Sequence, residues 1–440
     1  MKRYSIALLF IYCSFVSAQS KLELRLSDCI TKAIEQNPSI RISQSKVRAA
    51  EAKSSEVGTA LLPQVKFSGR LAELSSVPEY SITLPPPIGT RTLFPTITEN
   101  YSFRFSLQQP IFTGFKLSMS QEVAELQLNA TREDFQKDQT DLIFNTITTY
   151  WNLYRAYKVE EVLGQSVGQM EEHLKNVKNL ALQGMATDAD VMKVNVQLSD
   201  IKVRYIESKN SIRIASMVLN SYLSQPLETE IIPIDTPKAN QDSIYSLDLQ
   251  LLKKTAKERR PEIKAMQLRN EITNANVTAA RGGWYPQVYI SANYDYANPN
   301  QRILPPEAKW NGTWDVGLML QWNVWDWFAT EYQITQAEAV SRQAEAGLVQ
   351  INDAVLLEVA QQYYGVQTAG EKVQVAYSGM MQAQESYRMT SEKFKNGLAS
   401  NADLLDAEIS LLQAKLTHTQ SVVDYALSTA RLKKAVGDSL

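Results

Sequence analysis

One short string in the sequence has the spacing of a catalytic serine. Gly164-Gln165-Ser166-Val167-Gly168 fits the Gly-x-Ser-x-Gly pattern, which in hydrolases presents a serine on a sharp turn between a strand and a helix. Helix is expected on both sides of this string, and His173 is the only histidine nearby. The two glycines are better explained by close approach of two helices. We therefore predict that the chain is not an enzyme and rank a hydrolase built on Ser166 last.

A pair of aspartates three residues apart could in principle perform acid–base chemistry. Asp403 and Asp406 have this spacing, but a short polar segment lacks the apolar burial that turns one carboxyl into an acid and its neighbour into a base. A simpler interpretation is available, because Ser400 precedes Asp403 by three residues, as Thr187 precedes Asp190. This is the spacing of a capping box, with aspartate in place of glutamate, and it predicts two helix starts.

The chain offers few residues that could bind a metal or a cofactor. Its 440 residues include 2 Cys and 2 His, too few for a zinc site, an iron–sulfur cluster or a disulfide framework. The formal net charge of −2 supplies no basic field for nucleic acid. We predict no metal, no cofactor and no nucleic-acid partner.

The amino terminus has the features of an export signal. Lys2 and Arg3 precede an apolar stretch that ends in the small residues Val16-Ser17-Ala18, so residues 1–18 are predicted to be a cleaved signal peptide. That stretch is also the longest apolar run, and it is too short to span a bilayer as a helix. If the exported chain enters a membrane, it must do so with strands.

The mature chain repeats itself. Several motifs recur in the same order: Leu62-Pro63-Gln64-Val65 as Tyr285-Pro286-Gln287-Val288, Tyr150-Trp151 as Tyr363-Tyr364, and Gly184 as Gly397. We therefore predict two copies of one unit, residues 19–227 and 244–440, joined by a linker at 228–243.

Most of each copy is predicted to be long helix. No proline occurs between residues 111 and 225 or after residue 306. Within the second of these stretches apolar or small residues recur about every 3.5 positions, which is the coiled-coil period. The pattern predicts helices over residues 116–183 and 329–396, each followed by a helical hairpin turn near 184–187 and 397–400.

Each copy also contains a strand hairpin, at residues 62–113 and 285–327. Apolar and polar residues alternate there, as in Tyr101, Phe103, Phe105 and Leu107 against Ser102, Arg104, Ser106 and Gln108. Segments of about ten alternating residues are typical of transmembrane β-barrels, and five of the seven Trp fall between Trp310 and Trp327, as in an interfacial girdle. The alternative is a soluble sheet with one face on a core.

Four strands are too few to close a barrel, and open sheet edges are not tolerated in lipid. Subunits would therefore share one barrel, with eight strands from two chains or twelve from three. The predicted fold class is mixed α and β, with a barrel shared between subunits and a long periplasmic α-helical coiled-coil barrel, built from two tandem repeats.

The ordered, duplicated motifs resemble a known family, the TolC-like outer membrane efflux proteins. The resemblance covers essentially the whole mature chain and rests on these segments: Leu26-Ser27-Asp28-Cys29-Ile30, Asn37-Pro38, Leu62-Pro63-Gln64, Gln109-Pro110-Ile111-Phe112 and the two hairpin turns. It implies a homotrimer with a twelve-stranded barrel in outer-membrane lipid and a periplasmic helical tunnel. It also implies two partners, a periplasmic adaptor protein and an inner-membrane transporter.

The resemblance further implies roles for single residues. Asp403 and Asp406 match aspartates that line the periplasmic mouth, and Asp190 is the matching first-copy aspartate. The family's gate Tyr and Arg are replaced here by Phe394 and Ala399, so the contacts that hold the mouth closed, called here the lock, must differ. The candidates for these contacts are Lys393 or Lys395 as partners of Asp190, or an apolar constriction around Phe394 and Leu398. The surface that meets the adaptor corresponds to Gly184, Met185, Ala186 and Thr187 with Gly397, Leu398, Ala399 and Ser400.

The leading functional prediction is an outer membrane exit duct of a tripartite efflux or type I secretion system, conducting passively. The alternative from another class is an exported soluble coiled-coil scaffold. The alternating strands and clustered tryptophans favour the duct.

Overall fold

A computed structural model describes residues 22–237 and 248–438 of the chain. The predicted signal peptide and residues 238–243 of the predicted linker lie outside these ranges. The chain divides into two compact units. The first contains Met1–Ile42, Gln136–Arg260 and Ala354–Leu440, and the second contains Ser43–Phe135 and Pro261–Asp353.

The α-helices of the described residues come in matched pairs. They are α1 Leu26–Gln36, α2 Pro38–Gly58, α3 Lys116–Leu182, α4 Asp188–Leu223, α5 Leu249–Arg259, α6 Pro261–Arg281, α7 Ala329–Lys395 and α8 Asn401–Val436. The series α1 to α4 and the series α5 to α8 both have lengths of 11, 21, 67 and 36 residues. The two longest helices end one residue before the predicted limits, and each end is followed closely by a glycine with a positive φ angle, Gly184 or Gly397.

The strands form three sheets. They are β1 Leu22–Leu24, β2 Gln64–Glu73, β3 Tyr80–Leu84, β4 Gly89–Phe94, β5 Glu99–Phe112, β6 Ile231–Pro233, β7 Gln287–Asn298 and β8 Asn311–Gln321. An antiparallel four-stranded sheet has the order β2-β5-β7-β8, whereas β1 pairs in parallel with β6 and β3 pairs with β4.

The two small sheets correct the prediction of only four strands. The β3–β4 pair lies inside the predicted hairpin 62–113, between its two predicted strands. Pro85, Pro86 and Pro87 fall in the turn between its strands, so they remove no ladder hydrogen bond. The β1–β6 pair has only three residues in each strand, too few for a period-two pattern to be recognised.

The first unit has a buried core in which an aromatic side chain fixes the amino-terminal segment. The hydroxyl of Tyr150 on α3 donates to the carbonyl oxygen of Leu24 at 3.0 Å and accepts from the backbone N–H of Asp235 at 3.1 Å. A carboxylate oxygen of Asp235 accepts from the backbone N–H of Leu26 at 2.7 Å. Nearby, Cys29 is fully buried, and this burial raises the pKa of its thiol to about 12. The thiol is therefore protonated and unreactive at neutral pH.

Candidate functional site

One face of the four-stranded sheet is a continuous apolar surface. Phe67, Phe105, Tyr294 and Trp314 are direct neighbours across β2, β5, β7 and β8. They are 59%, 53%, 47% and 71% exposed, so the described part of the chain leaves much of their surface uncovered. A row of exposed aromatic side chains across a whole sheet is far larger than the isolated apolar residues found on soluble surfaces.

The opposite face of the sheet is polar and carries paired charges. Arg104 and Asp295 are neighbours on β5 and β7, and the guanidinium Nε donates to Asp295 Oδ1 at 2.5 Å. In the next row the Asn293 amide donates to Asp315 Oδ2 at 2.9 Å. The two faces therefore differ in the way that the sequence alternation predicts.

The two helical hairpin turns are built alike. Gly184 and Gly397 follow the ends of α3 and α7 with φ angles of +73° and +70°, a conformation that glycine adopts without strain. Two residue pairs then cap the next helices. The Thr187 hydroxyl accepts from the Asp190 N–H and the Ser400 hydroxyl from the Asp403 N–H, both at 3.2 Å. The predicted capping boxes are thus confirmed.

The capping aspartates use their carboxylates within their own turns. Asp190 Oδ2 accepts from the hydroxyl and the N–H of Thr187, and these hydrogen bonds lower the pKa of Asp190. The corresponding bonds from Ser400 lower the pKa of Asp403. Asp406 lies one helical turn further along α8 and is exposed.

The remaining predicted gate and tip residues differ in exposure. Leu398 and Met185 occupy equivalent positions just after the two glycines and are 78% and 65% exposed. Phe394 is half-buried against the apolar cluster between α3, α4 and α8. Within the chain, Lys395 forms an ion pair with Glu392 at 3.1 Å rather than with Asp190.

A buried polar network behind the tips was not found by sequence reasoning. His173 on α3 is 3% exposed, with Nδ1 2.7 Å from Glu408 Oε2 and Nε2 2.9 Å from Asn401 Oδ1. The rings of His173 and Phe394 also pack in a T-shaped arrangement, with centroids 5.6 Å apart. The available signal was helical spacing, because His173 follows the buried Met170 by three residues and precedes the buried Val177 by four.

The serine string does not have the geometry of a nucleophile elbow. Its five residues lie inside α3, and Ser166 is 7% exposed. A Cβ atom at Gly164 would lie 3.3 Å from the Tyr205 ring, which fits the predicted close approach of two helices. At Gly168 a Cβ would meet nothing within 4 Å, so the prediction is wrong for that glycine.

Within residues 22–237 and 248–438, no group of three His, Cys, Asp or Glu side chains is placed to hold a metal ion. No helix in those ranges combines the length and the apolar character needed to cross a membrane.

The chain is similar to proteins of known class over nearly its whole length. The family model for outer membrane efflux proteins matches residues 29–225 and again 252–438. Outer membrane protein TolC of Escherichia coli (strain K12) is 21% identical, over 99% of this chain and 87% of that protein. Outer membrane efflux protein BepC of Brucella suis biovar 1 is 19% identical, over 96% of this chain and 87% of that one.

Solved structures share the fold. The outer-membrane channel OprN has a TM-score of 0.79 at 19% identity, covering 94% of this chain and 90% of OprN. VceC of Vibrio cholerae also has a TM-score of 0.79, at 18% identity, covering 94% of this chain and 96% of VceC.

The chain belongs to the outer membrane efflux protein family. The predicted family, the efflux channel function and the outer-membrane location are thereby confirmed, and the soluble scaffold alternative is not supported. The relatives are efflux proteins rather than enzymes.

Proposed function

We propose that three copies of this chain share one twelve-stranded barrel and form a passive exit duct through the outer membrane. The observation that carries this proposal is the four-stranded sheet, which has an exposed apolar face and two outer strands, β2 and β8. Unpaired strand edges are not tolerated in hydrocarbon, so β2 of one copy pairs with β8 of the next.

The polar face of the sheet favours three copies over two. A barrel of eight strands is filled by its own side chains, whereas a barrel of twelve leaves a wet lumen. The Arg104–Asp295 and Asn293–Asp315 pairs are suited to such a lumen. Helix α4 adds support, because a stripe of exposed large side chains needs a cover from a neighbouring copy: Met192, Val196, Val203, Ile206 and Ile214.

The helical part serves as the periplasmic tunnel in this proposal. Residues 19–227 and 244–440 form two repeats joined by a linker at 228–243, and residues 1–18 are the signal peptide. The exposed Met185 and Leu398 on the tips contact a periplasmic adaptor, and an inner-membrane transporter supplies the driving force.

The names of matched relatives cover several cargoes. They include a toluene efflux pump outer membrane protein, a cation efflux system protein and a toxin and drug export protein. What such proteins have in common is the duct, and the cargo of a passive duct is selected by the attached transporter.

In the proposed assembly, the gate at the periplasmic mouth consists of Asp190, Asp403, Asp406 and Phe394. Three copies would bring six carboxylates from Asp403 and Asp406 to a narrow opening, where they attract cations. Because Lys395 is held by Glu392, closure depends on apolar packing at Phe394 and Leu398 more than on an ion pair between Lys395 and Asp190.

Cysteine cross-linking tests the shared barrel. Ser68→Cys on β2 is combined with cysteine at Thr313, Asp315 or Gly317 on β8, all on one face of the sheet. Oxidation in outer membranes should give closed three-chain adducts for at least one pair. The matched control combines Ser68→Cys with Asn293→Cys on the inner strand β7, which should give none.

Different products would refute the shared barrel. If complete oxidation gives closed adducts of two chains and nothing larger, the barrel has eight strands. A folded monomer in native membranes would contradict sharing altogether.

Ion selectivity tests the gate. In planar bilayers, Asp403→Asn with Asp406→Asn should reduce cation preference, and Lys395→Ala should leave conductance unchanged. Unaltered selectivity in the double variant would mean that these aspartates face away from the pore.

A further inference from the structure

The network behind the tips reaches both hairpin turns of the chain. Asn401 is the first residue of α8, and its amide nitrogen lies 3.4 Å from Asp190 Oδ1 and 3.5 Å from the Asp190 carbonyl oxygen. Asp190 in turn caps α4 through Thr187. His173, Asn401 and Glu408, named here the tip latch, therefore connect α3 and α8 with the start of α4.

The hydrogen-bond partners of Asn401 indicate where one proton of the tip latch lies. Asp190 offers Asn401 only acceptors, so the amide NH₂ of Asn401 faces Asp190 and its oxygen faces His173. An amide oxygen can only accept. With the amide in this orientation, the Nε2 atom of His173, 2.9 Å away, carries a hydrogen.

The second ring nitrogen then requires a further proton. Nδ1 of His173 lies 2.7 Å from Glu408 Oε2, and both side chains are buried. If Glu408 is ionised, Nδ1 must donate and His173 is an imidazolium. If His173 is neutral with its hydrogen on Nε2, Glu408 must donate as a carboxylic acid. In both descriptions one proton lies between the two atoms.

We propose that the tip latch is a proton-dependent positioning element, which holds the two hairpin turns in one arrangement only while this bridging proton is bound. When this proton is lost as pH rises, Nδ1 of His173 and the carboxylate of Glu408 are two buried acceptors facing each other. The two groups must then separate or admit water between them. Because α8 carries both Asn401 and Glu408, separation of this contact loosens the start of α8 and its link to Asp190.

Charged and titratable groups on all four packed helices surround this contact. On α7, burial and then the charges of Glu408 and Glu172 raise the pKa of Tyr387, and Lys395 interacts with Glu172 and Tyr387. Lys193 on α4 interacts with Asp190.

The importance of the tip latch for transport rests on the proposed function, in which the tips form the periplasmic mouth and meet an adaptor. In that setting His173, Asn401 and Glu408 act through Asp190 and the turns and touch no cargo. Phe394, which contacts the His173 ring, would change its packing when the contact separates.

Histidine spectroscopy tests the proton count directly. The chain has only two histidines, His173 and His418, so ¹⁵N-histidine labelling of the detergent-solubilised full-length protein gives two ring systems, assigned with His418→Gln. We expect Nε2 of His173 to be protonated throughout, with Nδ1 losing its shared proton as pH rises. An Nε2 without hydrogen at neutral pH would overturn the proposal.

Amide hydrogen exchange tests the positioning role. After correction for intrinsic rates, exchange at residues 187–191 and 401–405 should accelerate about tenfold or more at the pH where His173 titrates. Glu408→Gln should remove this transition while preserving the contact, because its amide can donate to neutral Nδ1. The control Glu172→Gln, an exposed neighbour of His173, should retain the transition.

The two proposals fail in different ways. If the protein restores efflux in cells that lack it, but His173 and the tips show no shared pH transition, the tip latch is overturned and the proposed duct stands. A coupled transition in a protein that supports no efflux would retain the tip latch and contradict the proposed function.

Discussion

The cluster behind the helical tips and the four-stranded sheet use their side chains in opposite ways. Behind the tips, Met170, Val177, Leu198 and Leu412 are almost completely buried by other helices of the same chain. Even the polar His173 has both ring nitrogens paired there. In the sheet, Phe67, Phe105 and Trp314 are more than half exposed.

The difference shows which part of the chain is complete by itself. Burial of apolar side chains is the main favourable term in folding, and the tip cluster obtains it within one chain. The sheet obtains little of it and leaves both outer strands for further pairing. In the proposed assembly, lipid covers the apolar face of this sheet and neighbouring copies pair with its outer strands.

The largest expected effect is a cavity in the tip cluster. Leu198→Ala should lower the free energy of local unfolding by about 2–5 kcal/mol, because the buried side chain leaves an unfilled space. Amide exchange along α4 measures this. Leu182→Ala, at a side chain that is 88% exposed, is the matched control and should change it by less than about 0.5 kcal/mol. Equal effects would contradict a self-contained cluster.

A charge on the apolar face of the sheet should be nearly as costly. Val316→Arg, in the middle of β8, is expected to cost about 2–4 kcal/mol of folding free energy in lipid if it faces the bilayer midplane. Unfolding by urea in lipid vesicles measures it. Thr313→Arg on the same strand lies beside Asp295 on the polar face and should be tolerated. Similar losses in both variants would refute the assignment of the two faces.

Removal of a helix cap should have a smaller effect. Thr187→Ala and Ser400→Ala each remove the hydroxyl acceptor of a capping box, at a cost of about 1 kcal/mol to the local stability of α4 or α8. Amide exchange in the first helical turn provides the measurement. Thr187→Ser keeps the acceptor and should retain most of the protection, whereas a loss as large as that of alanine would exclude the cap as the cause.

The smallest expected effect is the acid sensitivity of the same turns. Hydrogen bonds from Thr187 and Ser400 lower the pKa values of Asp190 and Asp403 in the folded state. Their contribution is therefore complete above the ordinary carboxyl pKa and is lost as pH falls through the lowered values. Exchange at the first turn of α8 should accelerate in acid, and Asp403→Asn should weaken that response.

Much of this architecture follows from local patterns. The absence of proline predicts that α3 and α7 can be long, because a helix interior does not accommodate proline, and Gly184 and Gly397 mark their ends. The alternation from Tyr101 to Gln108 predicts the two faces of the sheet, because successive strand residues point to opposite sides. Each of these features depends on neighbours within a few residues.

Features that depend on distant residues could not be predicted in the same way. The β1–β6 pair joins segments more than 200 positions apart, and its three-residue strands carry no periodic signal. The strand order β2-β5-β7-β8 places the two predicted hairpins side by side through β5 and β7, a pairing that no local pattern specifies.

The sequence by itself determined the long helices, the four strands of the main sheet, the capped turns and the family, because these arise from local spacing and from ordered motifs along the chain. Only the tertiary structure decided the partners of His173. Glu408 and Asn401 lie 235 and 228 positions away, and packing of α3 against α8 brings them within 3 Å of the ring. The physical reason is that burial removes water, so the ring nitrogens must find their hydrogen bonds in distant parts of the same chain.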